Sequence, residues 1–333
     1  MRIAINGFGR IGRNFLRTIM VDKQAQKKLN VVLINVGPAD IAKIAHMFKY
    51  DTLMGTFDGT VSCSNNRLTI NDQTIELIAI TDPKKLNWKS YDIDWVVDAS
   101  GQYVTQELSR LHIDAGAKRL LITAPCKGTV TTIVPGVNDD LYNPERDRVV
   151  SLASCTTNAI MPTLKVLHDA FTIKQGFMTT VHAYTNSQVL IDVESDDLRR
   201  SRAAALNIIP TSTGASRMID QVMPELKGRI QSTSIRVPVA TVSLIDLVVH
   251  TEKELSVDIL NHAFERASTA SLKGILAISS DPLVSSDYIG SDYSVTIDAA
   301  LTQASGHMAK VFGWYDNEWG YSMRVRDFLL SLS

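Results

Sequence analysis

The chain has 333 residues, 45% of them hydrophobic and 21% charged, with a formal net charge of −1. At about 150 residues per domain this suggests two domains with sizeable cores, and the near-neutral balance gives no field to draw nucleic acid or an anionic membrane. No apolar run approaches the roughly 18 residues of a membrane span, MRIAINGFGR shows no signal-peptide pattern, and three scattered cysteines form neither a disulfide framework nor a zinc spacing. A cytoplasmic protein with reduced thiols and no metal is the expectation.

In chain order, RIAIN (2–6) reads as a short buried strand that runs at once into GFGRIG (7–12). Ile11, Phe15 and Ile19 then recur at helical spacing, with Leu16 and Met20 alongside. VVLIN (31–35) is the next strand and ADIAKIAHMFKY (39–50) the next helix. A β-rich stretch with turns at 64–66 and 71–72 follows. Strand and helix then alternate through IDWVVDAS (93–100), a helix near 104–115, KRLLITAP (118–125), TTIVPGV (131–137) and RVVSLA (148–153). This alternation predicts a mostly parallel, doubly wound α/β sheet. In the second half GFMTTVHAY (176–184) and RVPVATVSLIDLVVHT (236–251) read as long strands, with a helix at about 254–269 and a helical tail over 319–332. An α+β domain with one large mixed or antiparallel sheet is expected there.

Gly7, Gly9 and Gly12 form G-x-G-x-x-G between a strand and a helix. In that setting the glycines allow a tight turn, close approach to a pyrophosphate and helix–strand packing, and the helix N-terminus faces the phosphates. The first domain therefore reads as a Rossmann-type nucleotide domain; a tight turn with no ligand is the plainer alternative. An acid should close the second strand to hold a ribose hydroxyl. The residue beside Asn35 is instead Val36, and Asp40 comes four residues late, where its simplest role is a helix cap.

SLASCTTNAIMPTLKVLHDAF (151–171) places Cys155 where a strand gives way to a helix. Ile160, Leu164, Leu167 and Phe171 mark the helix face, Thr156 and Thr157 read as caps, and Pro162 should bend the helix or free a carbonyl. A helix N-terminus lends a cysteine thiolate character, and His182 in TTVHAYTN is the candidate base that would lower its pKa further. His46, His112, His168 and His262 fall in helical patterns, and His250 and His307 carry no motif. On spacing alone, a reactive Cys155 and a buried inert thiol are equally good readings. Cys63 and Cys126 read as structural.

INGFGRIGR (5–13), ASCTTN (153–158), HAYTN (182–186), DLRRSRAAALNIIPTSTGA (197–215) and WYDNEWGYS (314–322) together resemble the phosphorylating glyceraldehyde-3-phosphate dehydrogenase family. PELKGR (224–229) and RVPVATVSLIDL (236–247) extend the resemblance end to end. It implies oxidation of an aldehyde phosphate to an acyl phosphate through a thiohemiacetal and a thioester on Cys155, with His182 as general base. It further implies Thr185 and Arg236 on the substrate phosphate, and Ser154, Thr156, Thr213, Gly214 and Arg200 on the attacking phosphate. Without the resemblance, Arg199, Arg200 and Arg202 read as a solvated or interface cluster. Cofactor contacts are implied at Asn6, Gly7, Phe8, Gly9, Arg10, Ile11, Gly12, Asn35, Val36, Ser100, Gly101, Thr123, Asn317 and Tyr321. The implied nucleotide domain is discontinuous, 1–153 with 318–333, around a catalytic and tetramerisation domain over 154–317. The segment 184–206 resembles the family's S-loop, which implies a homotetramer. No nucleic-acid or membrane partner is indicated. The rival readings are an erythrose-4-phosphate dehydrogenase, a cysteine hydrolase and a catalytically silent nucleotide-binding relative.

Four positions depart from the family pattern. Val36 replaces the ribose-binding acid, Leu152 a common asparagine, Ser187 an aspartate near the substrate phosphate, and Ala159 a frequent second cysteine. Ala159 removes a disulfide partner beside Cys155, Ser187 should alter affinity rather than abolish activity, and Leu152 has no reading. Val36 removes both the ribose contact and the repulsion of a 2′-phosphate. NAD is the preferred cofactor, with Glu194 of a neighbouring subunit supplying the missing carboxylate; NADP or dual use is the alternative. No arginine stands beside Val36, and Lys84 in the DPKK segment is the candidate cation for a 2′-phosphate.

Overall fold

The computed structural model describes residues 1–333, which divide into two compact units, Met1–Ser154 with Ser322–Ser333, and Cys155–Tyr321. The first unit opens with β1 (Arg2–Asn6), α1 (Arg10–Met20), α2 (Lys23–Lys28), β2 (Asn30–Asn35) and α3 (Ile44–Lys49). Then come β3 (Val61–Ser64), β4 (Arg67–Ile70), β5 (Gln73–Ile78), β6 (Trp95–Asp98), α4 (Gln106–Asp114), β7 (Arg119–Ile122), β8 (Thr131–Thr132) and β9 (Val149–Ser151). One sheet runs in the order β3-β4-β5-β2-β1-β6-β7-β9-β8. β1 is parallel to both β2 and β6, while β3, β4 and β5 are antiparallel hairpins turned at Asn65, Asn66 and Asn71, all with positive φ. Asparagine tolerates that conformation, which is why those turns were readable.

The central strands are buried on both faces, as a parallel sheet requires: Ile3 to Ile5, Trp95 to Val97 and Leu120 to Ile122 are all 2% exposed or less. The strand order reverses at β1, and a doubly wound sheet opens a crevice beyond the carboxyl ends of its strands at such a point. The helix expected over 39–50 begins with a 3-10 turn at Ile41–Lys43, and Asp40 caps that turn by accepting the Ala42 N–H at 3.0 Å. The last helix, α8 (Trp319–Ser331), sets Phe328 edge-on to Trp95 and Tyr142, with ring centroids 5.9 and 5.5 Å away. Burying one phenylalanine this way contributes about 1.5–3 kcal/mol.

The second unit holds α5 (Cys155–Phe171), β10 (Ile173–Ala183), β11 (Ile209–Thr211), α6 (Ala215–Val222), β12 (Ile230–Val237) and β13 (Ser243–Thr251). α7 (Val257–Thr269), β14 (Leu276–Ser279), β15 (Val295–Asp298), β16 (Gln303–Ser305) and β17 (Met308–Tyr315) complete it. The sheet order is β11-β12-β10-β13-β17-β15-β14, with β16 on β17. The run 236–251, expected as one strand, is divided. β12 ends at Val237 and runs parallel to β10, whereas β13 begins at Ser243 and lies antiparallel on β10's other side. Pro238 cannot donate to a ladder and Val242 sits at φ 67, so the chain leaves one edge of β10 and returns along the other. β13 alternates buried and half-exposed residues, so one face of the sheet is covered and the other is not.

α5 runs on through Pro162 and begins at Cys155. Thr156 and Thr157 are therefore buried residues of the first turn and not its caps.

Candidate active site

In the first unit, polar side chains tie the ends of three strands together. Asn35 Nδ2 donates to Asn6 Oδ1 at 2.8 Å, Asn6 Nδ2 donates to Asp98 Oδ1 at 2.8 Å, and the Ser100 hydroxyl donates to the same oxygen at 2.7 Å. Burial pushes the Asp98 carboxyl up, and its donors from Asn6 and Ser100 oppose that. A cleft of about 470 Å³ opens above this ladder. The three glycines have separate jobs. A Cβ on Gly7 would stand 2.6 Å from the Ser100 nitrogen, and one on Gly12 would strike the Gly7 carbonyl. Gly9 has open space where its Cβ would be, and it begins α1 with no side-chain cap. The first N–H groups of α1 and the bare Gly9 backbone thus suit a pyrophosphate.

Of the sequence candidates, Asn6, Gly7, Phe8, Gly9, Asn35, Val36 and Ser100 line this cleft. Arg10, Ile11, Gly12, Gly101 and Thr123 do not. Arg10 is ion-paired with Asp51, and Thr123 Oγ1 donates to the Asp98 carbonyl at 2.9 Å. Ile80, Thr81, Gln102 and Tyr103 also line the cleft and were missed. They follow the ends of β5 and β6, so the strand-end rule applied to every strand would have found them. No lining residue is a carboxylate, and Val36 is only 4% exposed, with its N–H on the Ile78 carbonyl at 2.8 Å.

In the second unit, the first residue of α5 meets the end of β10: Cys155 Sγ is 3.6 Å from His182 Nε2. β12 contributes Arg236, which is in register with His182 on the neighbouring parallel strand. Arg236 Nη1 lies 2.7 Å from His182 Nδ1 and 2.9 Å from the Ala183 carbonyl, and His182 Nδ1 is itself 2.6 Å from that carbonyl. Arg236 Nε is buried with no partner. Thr156, the next residue of α5, acts to lower the Cys155 thiol. Behind it the Tyr315 hydroxyl is 3.0 Å from Thr156 Oγ1 and 2.7 Å from Thr180 Oγ1.

Burial pushes the Cys155 thiol up, and this outweighs the lowering effects of Arg236 and Thr156. Burial, with the Arg236 charge beside it, drives His182 down to about 3. Both shifts have desolvation as their largest cause, set against what the helix terminus and Thr156 return to the sulfur.

The family model of the glyceraldehyde 3-phosphate dehydrogenase C-terminal domain matches residues 154–317, and that of the NAD-binding domain matches residues 1–106. The chain belongs to the glyceraldehyde-3-phosphate dehydrogenase family. It is 47% identical to glyceraldehyde-3-phosphate dehydrogenase of Geobacillus stearothermophilus over 98% of this chain and 96% of that one. Glyceraldehyde-3-phosphate dehydrogenase 2 of Synechocystis is 47% identical over the same shares, and the chloroplastic A form of Zea mays 46% over 98% of this chain and 81% of that one.

The remaining family positions fall as follows. Thr185 Oγ1 lies 2.9 Å from Ser187 Oγ, so the residue in place of the aspartate steadies Thr185. Arg200 Nε donates to Asp197 at 2.7 Å, and Arg200 is near enough to Arg236 to help depress it, after burial. Thr213 Oγ1 accepts the Ala215 N–H at 3.3 Å, and Gly214 begins α6 without a side-chain cap. Ser243 donates to Asn317 Oδ1 at 3.1 Å, which leaves the Asn317 Nδ2 as the end free to bind. Tyr321 is buried. Leu152 and Ala159 are fully buried, and nothing in the structure explains Leu152 against asparagine. Tyr315 and Ser243 are the residues sequence reasoning missed; an aromatic inside WYDNE looks like core until its hydroxyl is traced.

Among the other thiols and histidines, Cys126 is buried in the first unit's core, and burial raises both it and Cys63. His112 accepts the Trp88 indole N–H at 3.1 Å, and burial lowers it to about 4. His168 Nδ1 accepts the Ile173 N–H at 3.2 Å. No group of histidine, cysteine or carboxylate side chains could hold a metal ion.

Proposed function

We propose that the protein oxidises glyceraldehyde 3-phosphate, with inorganic phosphate, to 1,3-bisphosphoglycerate. The observation that carries this reading is the Cys155 Sγ–His182 Nε2 approach of 3.6 Å with Arg236 alongside. The Cys155 sulfur attacks the aldehyde carbon as a thiolate to give a thiohemiacetal, and His182 takes the hydroxyl proton as hydride leaves the same carbon. The chemistry a bound nicotinamide dinucleotide supplies is acceptance of the hydride that leaves the thiohemiacetal carbon. Inorganic phosphate then displaces the thioester, and Cys155 is regenerated.

Arg236 and Thr185 serve the substrate phosphate in this reading. The buried, unpartnered Arg236 Nε is the kind of donor an anion would satisfy. Arg200, Thr213, Ser154, Thr156 and the uncapped start of α6 at Gly214 serve the attacking phosphate. Asn317 Nδ2 suits a carboxamide oxygen. Gly7, Gly9, Asn6, Asn35 and Ser100 suit a dinucleotide, either NAD, the preferred form, or NADP.

A homotetramer in the cytoplasm is part of the same proposal. Leu190, Leu198 and Leu206 of the segment following β10 are 86, 80 and 80% exposed, with Ile191 and Ile208 beside them in sequence, and a second copy of the chain would cover them. No helix is long and apolar enough to cross a membrane.

Steady-state turnover with glyceraldehyde 3-phosphate and inorganic phosphate, with erythrose 4-phosphate as control substrate, tests the reading. Phosphate-dependent dinucleotide reduction that disappears in Cys155→Ser is expected. Turnover without phosphate, or faster turnover of the four-carbon control, would overturn it.

A further inference from the structure

The floor of the nucleotide cleft is a run of hydrogen bonds whose directions are fixed from the backbone. The N–H groups of Ile80 and Gly37 point to Asn35 Oδ1 at 2.9 and 3.2 Å, and a backbone N–H can only donate. The Asn35 amide is oriented by them. Its Nδ2 donates to the Ile80 carbonyl at 2.9 Å and to Asn6 Oδ1 at 2.8 Å. Asn6 is oriented in turn, and its Nδ2 donates to Asp98 Oδ1 at 2.8 Å. From the other side the Gln102 N–H donates to Ser100 Oγ at 3.2 Å, and the Ser100 hydrogen goes to the same Asp98 oxygen at 2.7 Å. The run has one polarity and ends on an oxygen that accepts from both sides.

We infer that Asp98 is the positioning residue on which the nucleotide cleft is assembled, and that Asn35 and Ser100 shape the cleft without giving a side-chain hydrogen to the dinucleotide. Asn35 spends both amide hydrogens on Asn6 and Ile80, and Ser100 spends its only hydroxyl hydrogen on Asp98. Asp98 is 1% exposed and is not among the residues that line the cleft, so it acts through the others.

The reach of this one residue follows from the sheet order. Asn35, Asn6 and Asp98 close the adjacent strands β2, β1 and β6. The Asp98 carbonyl also accepts the N–H and the hydroxyl of Thr123, just past β7, at 3.0 and 2.9 Å. The glycine turn depends on the same grip. Gly7 approaches Ser100 so closely that a Cβ on it would stand 2.6 Å from the Ser100 nitrogen. Asp98 Oδ1 holds Asn6, the residue before Gly7, and Ser100, the residue Gly7 rests on. The phosphates are then left to the backbone from Gly7 to Gly9 and the first turn of α1, whose position Asp98 sets. The inference rests on the reading of this cleft as the dinucleotide site.

The test is calorimetric titration of NAD and of NADP into the full-length protein and its Asp98 variants. Asp98→Ala removes the acceptor and should weaken dinucleotide binding by about tenfold or more. Asp98→Asn keeps an oxygen for Asn6 and Ser100 and should bind within about threefold of the parent. Steady-state kinetics should place the alanine effect on KM for the dinucleotide rather than on kcat. A residue that served stability alone would lower the folded fraction, and so the stoichiometry, but not the affinity of the folded molecules. Parent-like affinity in Asp98→Ala, or equal losses in the alanine and asparagine variants, overturns the inference. A parent that binds neither dinucleotide overturns the reading of the cleft itself. Asp98→Val, which suits a buried strand residue and also lacks the acceptor, gives the same decision should the alanine variant fail to fold.

Discussion

Tyr315 and Thr156 meet hydroxyl to hydroxyl at 3.0 Å, and the same Tyr315 oxygen is 2.7 Å from Thr180. Tyr315 also stands edge-on to His182 with ring centroids 6.0 Å apart. One buried hydroxyl therefore braces the residue after the nucleophile and the strand that carries the base. Burial drives that phenol well above its ordinary range, so it remains a neutral donor and acceptor.

Tyr315→Phe should cost about 1–3 kcal/mol of stability, because it leaves two buried threonine hydroxyls short of a partner. kcat should fall while affinity for the dinucleotide is retained. Urea unfolding and steady-state kinetics on one preparation read both effects. A variant as stable and as active as the parent would mean that the network does not brace the site.

Val36 is the only departure that faces the nucleotide cleft. Val36→Asp should restore a ribose acceptor and place a negative charge where a 2′-phosphate would lie. The ratio of kcat/KM for NAD over NADP should rise roughly tenfold or more, the equivalent of about 1–3 kcal/mol. An unchanged ratio would mean that selectivity is read elsewhere. Glu194, exposed on the segment after β10, is the alternative reader, and Glu194→Ala should then lower the same ratio.

His112 predicts a pH dependence of stability. Its folded pKa is about 4, against 6.5 when unperturbed. Between those values the unfolded chain binds a proton that the folded chain refuses. Stability therefore rises with pH across that window and is lost on acidification from 6.5 toward 4. The loss attributable to His112 approaches about 3 kcal/mol. His112→Phe should be less stable at pH 7 by about 1–3 kcal/mol, since the Trp88 N–H loses its acceptor, but should show a shallower acid slope. Denaturant melts at pH 7 and 5 test this; parallel slopes in the two proteins would count against it.

Much of this molecule was legible because its signals are local. The glycine turn, the strand before it and the helix after it are fixed by neighbouring residues, and so are the Asn65 and Asn71 turns. The split between Val237 and Ser243 was not legible, because Val, Thr and Ser continue through it and only the pairing of β10 on both edges requires the break. The proximity of Cys155 and His182 could be named from resemblance, yet their ionisation could not. Helix position is written in the sequence, whereas desolvation belongs to the assembled fold. Tyr315 escaped for a similar reason, since its partners are Thr156 and Thr180, each well over a hundred positions away.

His182 and Arg236 are opposed rungs of β10 and β12, and β10 is hydrogen-bonded along both edges, to β12 and β13. Amides in such a doubly flanked strand exchange with solvent only through the rarest openings. Fraying of the exposed segment after β10, or of helix ends, leaves that ladder closed. The backbone register of base and arginine should thus have the lifetime of the whole second unit.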